Sequence, residues 1–297
     1  MAKWGGRILL AVVFVPLVWI WWVWPPPVWY RWFWPRQTAF MAMRRQQQIK
    51  PENPAIRYQP VALQAMAPIL KAAVLAGEDQ RFYDHAGIDY VEFRKALGYR
   101  SDSFFWKSPR DRAELLQAVR RSWSRPEQLR GASTITQQLA KNLYLSPSRN
   151  PLRKLKEAVT AWRLEYWLGK DRILELYLNV AEFGPGVWGA EAASRKYFGK
   201  NAATLSLEEA AALAGTLPFP LRSNPSYRPG RMQWRQNMIL RWLRGEDVEI
   251  PPAPELPPDT LPPPFLPDTL RVQLDTMRRK PDSIKPDTMP VRPDTGR

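Results

Sequence analysis

The stretch RGASTITQQLAKNLYLSPSRNPLRKLKEA, residues 130–158, reads as two consecutive helices joined by a short proline-bearing connection. Ser133 is suited to cap the first, which runs to about Leu143. Asn150 followed by Pro151 starts the second: a capping side chain, then a residue whose missing N–H costs nothing in a first turn. That second helix carries Leu152, Leu155, Val159, Trp162 and Tyr166 along one apolar stripe, and Gly169 closes it. Its polar residues are less ordinary. Gln137 and Lys141 lie four apart and share a face, with Ser133 and Thr134 one turn back. Arg149, Arg153, Lys154 and Lys156 crowd the start of the second helix, where the macrodipole disfavours cations. A pyrophosphate lying there would reverse that penalty, because free helix N–H groups and guanidinium forks both bind phosphate. Glu157 also fits as an i,i+4 ion-pair partner of Arg153.

Upstream, GEDQRFYDHAGID (residues 77–89) follows the apolar run PILKAAVLAGED, whose Pro68 suits a first helical position. Glu78 and Asp79 therefore meet the negative pole of a helix dipole, at about 0.3–1 kcal/mol each. A purely structural reading has one acid capping the next turn and the other pairing with Arg81. His85 and Gly87 follow at turn-like spacing, and His85 is read as a tie for that turn. No His/Cys set has zinc spacing. An acid pair facing a Lys/Arg cluster suits base-assisted displacement of a phosphorylated leaving group.

The rest of the body reads as mainly α. Asp171 opens a helix through Tyr177 and Leu178, Ser206 and Glu209 form a capping box, and a basic amphipathic helix spans about Arg231 to Leu243. Residues 97–129 are less regular and hold an aromatic knot, Phe104, Phe105 and Trp106. At 297 residues there is room for one domain of about 180–200 residues plus appendages. With no cysteine, disulfides and thiol chemistry are excluded. Lys and Arg number 44 against 28 acids, a formal +16 that attracts an anionic partner.

Between residues 4 and 24 the only charge is Arg7, and about 20 apolar residues rise about 30 Å, one bilayer core. The run ends in Trp-Trp-Val-Trp-Pro-Pro-Pro rather than the small residues of a cleavage site, so residues 1–24 are expected to be an uncleaved transmembrane anchor. The aromatics from Trp19 to Trp34 read as an interfacial belt. Lys3 and Arg7 before the span are outnumbered by Arg31, Arg36, Arg44 and Arg45 after it, so local charge does not favour an N-inside orientation. Residues 25–60, rich in proline, read as a linker, 61–245 as the catalytic domain, and 246–297, with recurring PPDTL, LPDTL, KPDTM and RPDTG, as a disordered tail.

The segments EDQRFYDHAG, GASTITQQLAKN, RKLKE and RILELYLNVAEFGPGVWGAEAASRKYFGK together resemble the family-51 peptidoglycan glycosyltransferases. Within them the chain most resembles the monofunctional biosynthetic peptidoglycan transglycosylases, from about Val61 to Leu243. The resemblance implies a lysozyme-like helical lobe and a small jaw that dips into the bilayer, with Phe104, Phe105, Trp106 and Trp123 where that jaw would be. It implies polymerisation of lipid II on the periplasmic side of the cytoplasmic (inner) membrane, which sets the anchor N-inside. The donor is the growing glycan on undecaprenyl pyrophosphate, and the acceptor is the 4-hydroxyl of a lipid II sugar. By the same resemblance Glu78 is the general base, and Lys141 and Arg149 steady the pyrophosphate. Arg153 and Lys154 match the RKxxE element, and Glu157 is the second carboxylate. Ser133, Thr134, Gln137, Gln138 and Asn142 line the donor groove or hold its shape, and Asp79 belongs to the substrate-binding set. No cofactor is obligatory, and a divalent cation (Mg or Mn) bridging the pyrophosphate and Asp79 or Glu157 stays open.

A pyrophosphate leaves without a strong acid, so one base plus cations suffices. A glycosidase would place a second carboxyl at about 5–9 Å and leaves the cation cluster unexplained. The chief alternative is an inactive membrane scaffold of the wall-synthesis machinery, its tail recruiting synthesis or division proteins. Acids and cations at every motif position argue against it. No transpeptidase activity and no nucleic-acid partner are expected.

Overall fold

The computed structural model describes residues 26–47, 55–96, 107–124, 133–144 and 151–251. Ten α-helices form among them: α1 (Ala39–Gln47), α2 (Pro68–Glu78), α3 (Tyr90–Ala96), α4 (Pro109–Ser124), α5 (Ile135–Tyr144), α6 (Pro151–Trp167), α7 (Lys170–Val180), α8 (Ala190–Phe198), α9 (Leu207–Thr216) and α10 (Gly230–Leu243). Three short strands, β1 (Arg57–Tyr58), β2 (Glu182–Gly184) and β3 (Val187–Trp188), make an open sheet of order β1-β3-β2. The expected anchor, the tail beyond residue 251 and the Phe104-Phe105-Trp106 knot lie outside the described residues, as does the Trp123 side chain. Among the described residues no helix is long and apolar enough to cross a membrane.

Helix α7 is the pillar of the lobe. Ile173, Leu174, Leu176, Tyr177, Leu178 and Val180 are all buried, so neighbours cover it on every side. Its polar residues are fully used. Glu175 accepts from the Leu63 amide at 2.8 Å and from Trp34 Nε1 at 3.1 Å, and pairs with Arg172. Asn179, one turn on, grips Val61 twice, accepting from its amide at 2.9 Å and donating to its carbonyl at 2.8 Å. Helix α5 packs against both α6 and α7, while α9 packs on α2 and α10. The α9–α10 approach depends on Gly215, where a Cβ would stand 2.8 Å from the Met232 carbonyl oxygen. The Ser206–Glu209 capping box that starts α9 is present in both directions.

One feature was not named by the sequence reading, and two expectations are corrected. The run EFGPGVWG, embedded between helices, folds as a hairpin: β2 and β3 pair antiparallel across Pro185-Gly186, and β1 joins β3 in parallel. Residues 97–129 are not irregular throughout, since α4 occupies 16 of them. The segment 25–60 is no spacer over its described parts. Its prolines set turns rather than an unfolded tether: the 3-10 turn Pro27–Arg31 packs on α6, and α1 packs on α5. Arg172 Nε donates to the Tyr30 carbonyl at 2.6 Å, and the Tyr58 hydroxyl to the Pro35 carbonyl at 2.8 Å.

Arg44 of α1 fastens this segment most firmly. It is buried and pairs at 3.1 Å with Glu182 of β2, also buried. Burial pushes the Glu182 carboxyl up from its usual value, and the Arg44 guanidinium pulls it back. Arg44→Met strands that acid, and chemical denaturation in detergent is expected to show a loss of about 3–5 kcal/mol. Arg44→Met combined with Glu182→Leu is expected to recover most of the loss. An unmoved midpoint in the single variant would mean the pair does not hold the segment down.

Candidate active site

Glu78 closes α2, and its side chain lies between α5 and α10. Oε2 accepts from Gln138 Nε2 at 2.8 Å, and Oε1 faces Arg235 Nη2 at 3.4 Å. The second distance is long for a hydrogen bond, so that attraction is mainly Coulombic. Arg235, only 2% exposed, also donates to the Gly77 and Pro251 carbonyls. Gln138 is held in turn, its Oε1 accepting from the Tyr177 hydroxyl at 2.9 Å. That contact fixes the amide's orientation, with its NH₂ toward the acid. Burial pushes the Glu78 carboxyl above the ordinary value of 4.5; Arg235, the Gln138 bond and Lys141 pull it back without cancelling the rise. Burial also holds the Tyr177 phenol well above 10, so it stays protonated.

Asp79 takes a different part. Its Oδ2 accepts from the amide of Ile135, the first residue of α5, at 3.0 Å, and both its oxygens lie 3.1 Å from His85 Nε2. Asp89 Oδ1 accepts from the amides of Val91 and Glu92, and its Oδ2 stands 3.7 Å from Arg81. Asp79, His85 and Asp89 each offer one ligand atom, all within 4.8 Å of one another, so the cluster can hold a metal ion. The helix cap, the His–Asp contact and the ion pair engage those same groups without requiring one. Gly87 completes the turn at φ +86°, where a Cβ would meet the Ala161 backbone at 3.2 Å. Its carbonyl accepts from Thr134 Oγ1 at 2.6 Å.

Thr134, not Ser133, caps α5. The Gln137 amide donates to Thr134 Oγ1 and the Thr134 amide to Gln137 Oε1, both at 3.2 Å. Thr134, the residue directly before α5, is buried, whereas Ser133 stays half-exposed. Gln138 and Lys141 follow on the side of α5 that meets Glu78, and Asn142 is buried. Arg153 and Lys154 lie in the first turn of α6 with side chains outside the described residues, and Arg149 lies outside them entirely. Glu157 is buried one turn further along α6. The fold thus gathers Glu78, Gln138 and Lys141, with Asp79, Thr134 and Gln137 as the support that aims α5.

Arg235 and Tyr177 escaped sequence reasoning. A signal for Arg235 exists: Met232, Arg235 and Ile239 fall at i, i+3 and i+7, all buried, and a cation on a buried face requires an anion or carbonyls opposite. The apolar stripe expected on α6 is misplaced at Trp162 and Tyr166, which are exposed, while the side chains of Leu152 and Leu155 lie outside the described residues. The helix buries Glu157, Thr160, Ala161, Leu164 and Leu168 instead. Glu165 sets this register, taking the Thr136 hydroxyl at 2.7 Å and Lys170 at 2.8 Å.

A sequence model of the family described as Transglycosylase matches residues 45–103 and 101–244. A biosynthetic peptidoglycan transglycosylase of Thiobacillus denitrificans is 37% identical over 250 residues, covering 84% of this chain and 97% of its own. Its namesake in an Azoarcus species is 38% identical over 246 residues, covering 79% and 96%. That of Bordetella pertussis is 42% identical over 196 residues, covering 66% and 73%.

The raised Glu78 carboxyl has a stability consequence. A carboxyl whose folded value lies above its unfolded one stabilises the fold at low pH, and that contribution is lost as pH rises through 4.5 to the folded value. Glu78→Gln is therefore expected to melt higher than the parent at pH 7.5, with the gap closing below pH 4. A variant less stable than the parent at pH 7.5 would show that Arg235 and Gln138 outweigh burial.

Proposed function

The chain belongs to the transglycosylase family and is a glycosyltransferase of peptidoglycan synthesis; on that premise we propose that it polymerises lipid II. The mainly helical lobe with its small open sheet is consistent with the lysozyme-like fold of such enzymes. The observation that carries the reading is Glu78, an acid buried beside Lys141 and Arg235, with burial making it a better base than an ordinary glutamate.

In this reading Glu78 takes the proton from the 4-hydroxyl of the acceptor lipid II. The acceptor oxygen then bonds to the anomeric carbon of the donor glycan with inversion. The bond to undecaprenyl pyrophosphate breaks, and the leaving group keeps its electron pair. Lys141, Arg149, Arg153 and Lys154 stabilise the charge that develops there, and Glu157 keeps those cations in place. Gln138 aims the base, while Ser133, Thr134, Gln137 and Asn142 shape the donor groove. Asp79 serves as a positioning residue, through His85 and the α5 amide. A divalent cation at the pyrophosphate would add to the same charge stabilisation. The anchor expected over residues 1–24 would hold the lobe on the periplasmic face of the inner membrane, where lipid II and the nascent strand are met.

The test is incubation of the detergent-solubilised full chain with labelled lipid II. Muramidase-sensitive polymer is expected from the parent, and Glu78→Gln is expected to be slower by about 10²–10⁴-fold. Lipid II bound but never polymerised by the parent would overturn the reading.

The pH profile tests the base separately. Activity requires ionised Glu78, so its acidic limb is expected above 4.5. Arg235→Gln removes a charge that favours the ionised form, and the limb is expected to move to higher pH. A limb unmoved by that change would remove Glu78 as the titrating group.

A further inference from the structure

Helix α6 is apolar on a face that the lobe does not cover. Trp162 is 45% exposed and Tyr166 81%, one turn apart on the same side, and Trp167, 38% exposed, packs edge-on against Tyr166. The core has already taken Ala161, Leu164 and Leu168 from the opposite face. Large aromatics at exposed helical positions cost solvation and contribute no internal packing, so this face calls for an external apolar partner.

Its surroundings say which. The 3-10 turn Pro27–Arg31 packs on α6, and Arg172, in the first turn of α7, holds the Tyr30 carbonyl. The turn thus packs on α6 and is tied to Arg172, five residues beyond Trp167. This turn and the loop after it expose Trp29 (63%), Trp32 (64%) and Phe33 (62%). Cations rim the aromatics: Arg31 lies 5.9 Å from the Trp32 ring, and Arg36 is exposed nearby in sequence. Immediately before Pro26 comes the apolar run of residues 4–24, long enough to span a bilayer. Were that run to span a bilayer and end at Trp24, the five residues to Trp29 would extend at most about 17 Å, which keeps the turn near headgroup depth. Tryptophan and tyrosine with an arginine rim fit that layer, apolar in body and polar at the edge.

We infer that the outer face of α6, with Trp162 and Tyr166, and the 29–33 aromatics form one seat on the interfacial layer of an anionic bilayer. The seat fixes the tilt of the lobe and holds Glu78 at a constant height over the membrane. It rests on the membrane location proposed above and adds a contact surface distinct from the anchor itself.

The chain has no cysteine, so single-cysteine labelling is clean. Trp162→Cys and Tyr166→Cys in the full chain carry an environment-sensitive dye after reconstitution into phosphatidylglycerol-containing vesicles. Thr204→Cys is the aqueous control. The Ala67 amide donates to the Ala202 carbonyl, which puts Thr204 at the end of α2 opposite Glu78. Labels at 162 and 166 are expected to shift to the blue and lose most of their emission to headgroup-region nitroxide lipids, with the label at 204 unchanged. Protein that floats with the vesicles while all three labels stay in water overturns the seat, as does protein that fails to float. The same vesicles receive labelled lipid II: quenching without polymer leaves the seat standing and counts against the activity, whereas polymer without quenching does the reverse.

Discussion

The geometry of the site hangs on one hydrogen bond, from the amide of Ile135 to the carboxylate of Asp79. A carboxylate at a helix N-terminus contributes about 0.3–1 kcal/mol when exposed and up to about 2 when partly buried, and here it also fixes direction. It docks the first turn of α5 against the end of α2, and Gln138, one turn along, arrives on Glu78. His85 holds the other side of the carboxylate, and Thr134 ties the same turn to Gly87. Adjacent acids thus have opposite fates. Asp79 is consumed by structure, and Glu78 is left with a charge that its surroundings only partly accommodate.

That partial accommodation is a balance of two large terms. Desolvation disfavours the Glu78 anion, while Arg235, Gln138 and Lys141 favour it. A closer Arg235 would lock the carboxylate into an ion pair and weaken it as a base. No arginine at all would push the carboxyl further up and leave less of it ionised. The 3.4 Å separation lies between these cases, and the Gly77 and Pro251 carbonyls hold the guanidinium there.

Local chemistry was legible where one residue decides one outcome. Pro68 starts α2, Pro151 starts α6, and Ser206 with Glu209 starts α9. The acid pair and Lys141 could be singled out from the residues, but spacing put Gln137 beside Lys141; Gln138, which meets Glu78, came only from the family resemblance. What stayed hidden depended on partners far along the chain. Periodicity drew the α6 stripe through Trp162 and Tyr166, whereas the buried face is set where Glu165 meets Thr136 and Lys170. The prolines of residues 25–60 look like those of a spacer until Arg44 meets Glu182. The hairpin at residues 182–188 is too short to show alternation, and only the Pro185-Gly186 turn betrays it. Arg235 could have been found, because a lone cation among buried positions is a question that some other residue must answer.

Three of the contacts that fasten the described N-terminal segment reach residues made much later. Leu63 awaits Glu175, Val61 awaits Asn179, and Arg44 awaits Glu182, separations of 112, 118 and 138 residues. At about 5–20 residues per second on the ribosome, roughly six to thirty seconds pass before those partners exist. The lobe therefore closes on its N-terminal segment only after α7 and β2 have emerged.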